Sequence, residues 1–276
     1  MESFNIKILA AMDIPEPYEA EFLRDIADKL DLQPLTRCIF TERLSQANLS
    51  ADWSQIAESC PPITPDQARK SAWSRDILPK LRDWGFSYEN GSKQLWRLAH
   101  QWLAATQFSP WLWEKLTGKA QRTQQMGFLE MPEPAPVPHL GARQQPSKPY
   151  QDKVRLHGEV ILEIKLTEPT HLTLLEREPN GTVVCLCPSE YAPNPRLSKQ
   201  AEIIPQPSAP YPRFAATELG QEQWIALLTP QSPDFAWLEQ SRREALKLDS
   251  SHLQQVFEYV QQKPQARLLY TEYEVV

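Results

Sequence analysis

Four cysteines and five histidines are the side chains of this 276-residue sequence best suited to metal binding or nucleophilic attack. No two cysteines stand in a Cys-x-x-Cys spacing, and no histidine pair accompanies them, so a zinc ligand set is not spelled out. Cys185 and Cys187 lie two apart on an expected strand and share a face. With Cys38 and Cys60 they read as small core residues rather than as a metal or redox centre. The histidines, His100, His139, His157, His171 and His252, are scattered. His157 and His171 could meet across adjacent strands, and Cys185 could face His171 in a hairpin. No orienting acid or oxyanion hole stands at a recognisable spacing. Gly-x-Ser-x-Gly, His-Glu-x-x-His, P-loop and Gly-x-Gly-x-x-Gly motifs are all absent. Eight glycines against 26 prolines leave little with which to build a phosphate loop. The expectation is a non-enzyme with no catalytic residue, no metal and no cofactor.

The densest unusual chemistry is aromatic and basic. Six of the nine tryptophans are Trp73, Trp84, Trp96, Trp102, Trp111 and Trp113. Between Thr64 and Arg122 ten Lys and Arg face five Asp and Glu, whereas the first 32 residues hold eight acids and three bases. Trp and Arg are enriched at protein-interface hot spots. Basic residues interleaved with aromatics can also track phosphates and stack bases. Against both stands a plain reading, in which the tryptophans fill a helical core and the bases are a solvated face. Trp73, Trp84 and Trp102 fall on apolar stripes. Trp111 and Trp113 flank Leu112 and cannot both face one way, so one is expected to be exposed. The candidate partner-binding set is therefore Arg82, Arg97, Trp111 and Trp113. The expected function is a non-enzymatic adaptor or accessory subunit that docks a protein. The alternative is a nucleic-acid-binding regulator using residues 64–122. A net charge of −6 weighs against wholesale nucleic-acid or membrane attraction. A helix-turn-helix match across Trp53–Trp84 is weak.

These residues must be positioned by two different kinds of structure. Residues 1–122 read as five or six helices. Phe22, Leu23, Ile26, Ala27 and Leu30 recur at helical spacing over about 17–30. Residues 35–44 read as a second helix. Thr64-Pro65-Asp66-Gln67 is a helix start with a capping box, followed by a stripe that ends at Gly85, with Pro79 expected to kink or split it. Further helices begin at Gly91-Ser92 and at Ser109-Pro110. Residues 123–150 read as a linker, with six prolines between Pro132 and Pro149. From 151 to 276 the period changes to two. Strands are expected at 160–166, 171–176, 182–186, 223–229 and 267–275, with an Asn180-Gly181 hairpin turn and helices at 235–246 and 251–262. The fold class is α+β: an all-α N-terminal domain and a mainly β, sandwich-like C-terminal domain with appended helices. Met1–Met12 makes a poor secretory leader, and no stretch approaches the length of a membrane span. A cytoplasmic protein without membrane contact is expected.

The C-terminal half also carries a set of short motifs. Leu172-Thr-Leu-Leu-Glu176 is followed by Asn180-Gly-Thr-Val183 and Leu186-Cys-Pro188. Ile203-Ile-Pro205, Pro212-Arg-Phe214 and Gly220-Gln-Glu-Gln-Trp-Ile-Ala-Leu227 follow. Over about 154–230 this resembles the bacterial "domain of unknown function 4384" family. The resemblance implies a ligand- or partner-binding sandwich rather than a catalytic domain, in a family whose members are often joined to caspase-like peptidase, kinase or signalling modules. No kinase or caspase signature accompanies it here, and the N-terminal half resembles no family.

Overall fold

The computed structural model describes residues 13–89, 91–130, 150–198 and 201–276. The leader reading of Met1–Met12 and the proline tract between Pro132 and Pro149 lie outside them. The chain divides into two compact units, Met1–Trp111 and Leu112–Val276, and is α+β as expected. No helix among the described residues is long and apolar enough to cross a membrane.

The first unit is built from α1 (Glu16–Lys29), α2 (Pro34–Leu44), a 3-10 turn (Gln46–Asn48), α3 (Trp53–Ser59), α4 (Pro65–Gln67), a π-helical stretch (Ala68–Ile77), α5 (Leu78–Asp83) and α6 (Leu95–Thr106). The first turn of α7 (Phe108–Lys119) completes it. The α1 stripe is buried as its spacing requires: Phe22, Leu23, Ile26 and Ala27 are all 1% exposed or less. The Thr64 capping box forms, with Gln67 N–H donating to Thr64 Oγ1 and Thr64 N–H to Gln67 Oε1. Pro79 does not break the helix. The preceding turns widen to π geometry, and α5 continues beyond them to Asp83, with Gly85 following at φ +101. α6 starts at Leu95, later than Gly91-Ser92 suggested, after Gln94 in the left-handed region.

Cys38 on α2 and Cys60 after α3 are joined by a disulfide. This corrects the reading of all four cysteines as plain core residues. The residues 22 apart come together because α2 and α3 pack side by side, which their spacing alone did not announce.

In the second unit α7 leads into twelve strands among the described residues. They are β1 (Gln121–Arg122), β2 (Met126–Glu130), β3 (Lys153–Val154), β4 (Glu159–Lys165), β5 (Thr170–Arg177), β6 (Val183–Cys187), β7 (Arg196–Leu197), β8 (Ala201–Ile204), β9 (Phe214–Ala215), β10 (Gly220–Thr229), β11 (Leu246–Leu248) and β12 (Arg267–Val275). The larger sheet runs β1-β12-β10-β5-β6-β11, with β3 on β12 and β7 on β5. The smaller runs β2-β4-β8, with β9 on β4. One apolar core joins the two sheets. Val160, Leu162 and Ile164 of β4 are fully buried, each stabilising by about 1.5–3 kcal/mol. They face Trp224, Ala226 and Leu228 of β10 and Leu172 and Leu174 of β5 within that core.

Two details differ from expectation. Met126–Glu130, inside the span read as linker, is a strand that pairs β4. Gly127 sits there because the Tyr150 ring lies across it: a Cβ would meet Tyr150 Cγ at 2.2 Å. The helix expected at 235–246 shrinks to one turn, α8 (Leu238–Ser241), because Leu246 and Leu248 pair with Cys185 and Val183 of β6. The last helix, α9 (Ser250–Gln262), and β12 fall where their periodicity places them.

Candidate functional site

The Trp/Arg set does not form one exposed face. Trp111 and Trp113 are each 1% exposed, so neither is the exposed anchor expected. Trp111 packs on Tyr18, Phe22 and Phe108, and its indole N–H donates to Asp25 Oδ2 at 2.9 Å. Trp113 donates to Gln223 Oε1 at 2.9 Å. Arg97 is half-buried, its guanidinium donating to Leu49 O and Ser50 Oγ. Arg82 is exposed and stacks over the Tyr88 ring at 4.6 Å, donating to its hydroxyl.

The helical unit does concentrate Trp and Arg chemistry, but inward. Arg43 is fully buried. It donates to Ala51 O, Asn48 O and Leu49 O at 2.8–2.9 Å and lies 4.3 Å over the Trp96 ring and 5.3 Å over Trp53. Burial, helped by repulsion from Arg97, lowers its pKa to about 10, which leaves it charged at neutral pH. Several other bases are also engaged within the unit. Lys80 Nζ donates to Leu30 O and Asp31 O, Lys70 pairs with Asp66, and Arg75 donates to Ser71 Oγ.

The thiol and imidazole candidates are separated by register. Cys185 pairs with Leu175, whereas His171 pairs with Thr229 and Arg196. Four residues of strand, about 13 Å, lie between them. His157 sits in a turn at φ +66 and not on a strand, so the two histidines do not meet as strand neighbours. Burial pushes the Cys185 thiol up to about 12, opposite to what a nucleophile requires. Among the described residues, no group of three or more His, Cys, Asp or Glu could hold a metal ion.

The site that stands out lies in the β unit. On β5 the inward residues are Leu172, Leu174 and Glu176. On β10 they are Glu222, Trp224, Ala226 and Leu228. Both strands therefore carry a carboxylate on their core-facing phase, at the same end of the sandwich. Glu176 lies opposite Trp224, and Glu222 opposite Tyr273 of β12. Glu222 is 6% exposed and accepts a hydrogen bond from the Tyr273 hydroxyl. Burial raises the pKa of both carboxyls. Repulsion from Glu222 adds to the rise on Glu176. Both carboxyls therefore favour the protonated form more than an exposed carboxyl does.

This pair opens into a cleft of about 430 Å³. Glu178, Pro179 and Asn180 of the hairpin turn form one side. Tyr191, Tyr211, Arg213 and Phe214 form another, and Thr217 and Glu218 complete the mouth. The turn is as its sequence predicts: Gly181 takes φ +89, and Glu178 and Thr182 close it by backbone hydrogen bonds. Asn180 Nδ2 donates to Glu178 Oε2 at 3.1 Å and to Glu218 Oε2 at 2.9 Å. Tyr191 stacks between Tyr211 at 5.4 Å and Phe214 at 5.2 Å. Arg213 is ion-paired to Glu159. Tyr211 is 51% exposed and Leu219, next to the mouth, 61%.

The motif residues Glu176, Asn180, Leu186, Arg213, Phe214 and Glu222 all line this cleft. Residues 153–232 match DUF4384, a domain of unknown function. The DUF4384 match covers less than a third of the chain and includes every cleft residue but Ala245. No curated protein and no solved structure matches the chain.

Composition and motif reading missed this site because an isolated Glu on a strand is unremarkable. The available signal was phase. A glutamate that takes the place of the next inward apolar residue on two strands calls for a partner or a function. Chemically, the cleft offers aromatic faces and several carboxyl groups. Its single lining guanidinium is already paired.

Proposed function

We propose that this chain is a non-enzymatic adaptor or accessory subunit that docks a partner protein, with the cleft of the β unit as its primary contact. The observation that carries the reading is the pairing of an acidic, aromatic-walled cleft with two exposed apolar side chains, Tyr211 and Leu219, at its mouth. Exposed aromatic and apolar side chains with polar groups close by occur at partner-binding surfaces. The Trp/Arg face of the helical unit draws less support, because Trp111 and Trp113 are buried and Arg97 serves the Leu49–Ser50 turn. Of that set Arg82 remains as a secondary contact.

Nucleic-acid binding through residues 64–122 is the weaker reading, since Lys70, Arg75, Lys80 and Arg97 are engaged within their own unit. A gel shift that appears at low salt and weakens steeply with added salt would favour it. The Cys38–Cys60 bridge supports an oxidising compartment over the cytoplasm expected from sequence, because cytosolic thiols are held reduced.

The docking reading is tested by affinity capture with full-length chains. A Tyr211→Ala, Leu219→Ser double variant is expected to lose proteins retained by the parent, and an Arg82→Ala, Arg97→Ala variant to keep them. The reverse pattern would return the contact to the helical unit.

A further inference from the structure

We infer that the cleft receives the guanidinium of an arginine side chain presented by the partner protein; this rests on reading the cleft as the docking site. The walls suit a flat cation. Tyr191 and Tyr211 lie at 29° to one another, and the exposed Tyr211 ring leaves a face on which a guanidinium can stack. The mouth suits a forked donor. Glu178 and Glu218 are tied to the same Asn180 amide, each through one oxygen, so carboxylate lone pairs remain for a bidentate contact. The charge is not already cancelled. The one guanidinium lining the cleft, Arg213, is committed to Glu159.

A second, independent observation lies at the floor. Glu222 is more than nine-tenths buried and yet lines the cleft. Glu176 lines the cleft with it, and Glu222 accepts from the Tyr273 hydroxyl. A guanidinium entering from the mouth brings its positive charge toward these carboxyls. Lysine offers the charge without the planar fork or the stacking face.

The test is a titration of the full chain, followed by NMR at the amides of Glu178, Gly181 and Glu218. The probes are a capped Gly-Gly-Arg-Gly-Gly peptide and its citrulline and lysine counterparts. The arginine peptide is expected to shift those amides saturably. Citrulline, the neutral isostere, should bind about tenfold more weakly or worse, with lysine between them. Glu218→Gln, an exposed and fold-neutral change, should weaken the arginine peptide several-fold, and Glu239→Gln on α8 should leave it unchanged. Equal binding of arginine and citrulline, equal binding of arginine and lysine, or shifts that avoid the cleft would each overturn the inference. If Tyr211→Ala, Leu219→Ser still abolishes partner capture in that event, the docking reading stands and only the guanidinium assignment falls.

Discussion

Replacing Arg43 by methionine keeps most of the side-chain volume and removes the guanidinium, and its cost can be worked from the contacts. Arg43 donates to three carbonyls. Two have other donors: Asn48 O also accepts from Ala51 N–H, and Leu49 O from Trp96 Nε1 and Arg97 Nε. Only Ala51 O loses the side-chain donor on which it depends, at about 1–3 kcal/mol for an unsatisfied buried acceptor. Stacking over Trp96 at 4.3 Å adds about 1 kcal/mol. The two redundant bonds add about another 1 kcal/mol, and relief from burying a charge offsets part of the total. A loss of about 3 kcal/mol follows. Arg43→Lys, which offers a point charge to one or two carbonyls, should lose roughly half as much. Urea unfolding followed by tryptophan fluorescence measures both, read as a shift in midpoint at constant slope. A loss below about 1 kcal/mol for Arg43→Met would refute the reasoning. The 46–52 turn would then be held without Arg43, and the Trp53–Trp96 cluster would be ordinary apolar packing.

Breaking the Cys38–Cys60 bridge by paired Cys→Ser changes should destabilise by about 3 kcal/mol, from a separation of 22 residues in the chain-entropy treatment. An unfolding midpoint unmoved by reductant would contradict it. Glu176 keeps its proton in the folded chain to a higher pH than in the unfolded chain, because of burial first and repulsion from Glu222 second. Its contribution is thus unpenalised below the ordinary carboxylate range and is lost as pH rises through the folded value. As pH rises above the ordinary carboxylate range the parent should lose stability that Glu176→Gln retains; parallel pH profiles would be inconsistent with a raised Glu176 pKa. Gly127→Ala must displace the Tyr150 ring, which donates to Glu163 Oε2 at 2.7 Å, and should cost about 1–3 kcal/mol in thermal unfolding. An unchanged melting temperature would mean that the ring moves aside freely.

Sequence periodicity carried most of the architecture. The α1 stripe, the Thr64 capping box, the Asn180-Gly181 turn and the β12 segment are local patterns, and each forms where it was read. What stayed hidden depends on long-range pairing. Met126–Glu130 is a strand only because β4 lies beside it, and Leu246–Leu248 leaves its helical pattern only because β6 offers an edge. Cys38 and Cys60 meet through the packing of α2 on α3. The Trp and Arg enrichment was visible, but its direction was not. Composition cannot tell an exposed hot spot from Arg43 buried over the Trp53 and Trp96 rings. The cleft was half legible. Its residues stood in the motifs that suggested the domain, but their convergence needed the register of β5 on β10.

Photo-crosslinking in the native cell separates the two faces most directly. A benzoylphenylalanine placed at Tyr211 should give a discrete protein adduct, and one placed at Arg82 should give a weaker adduct or none. An adduct from position 82 with none from position 211 would contradict docking at the cleft.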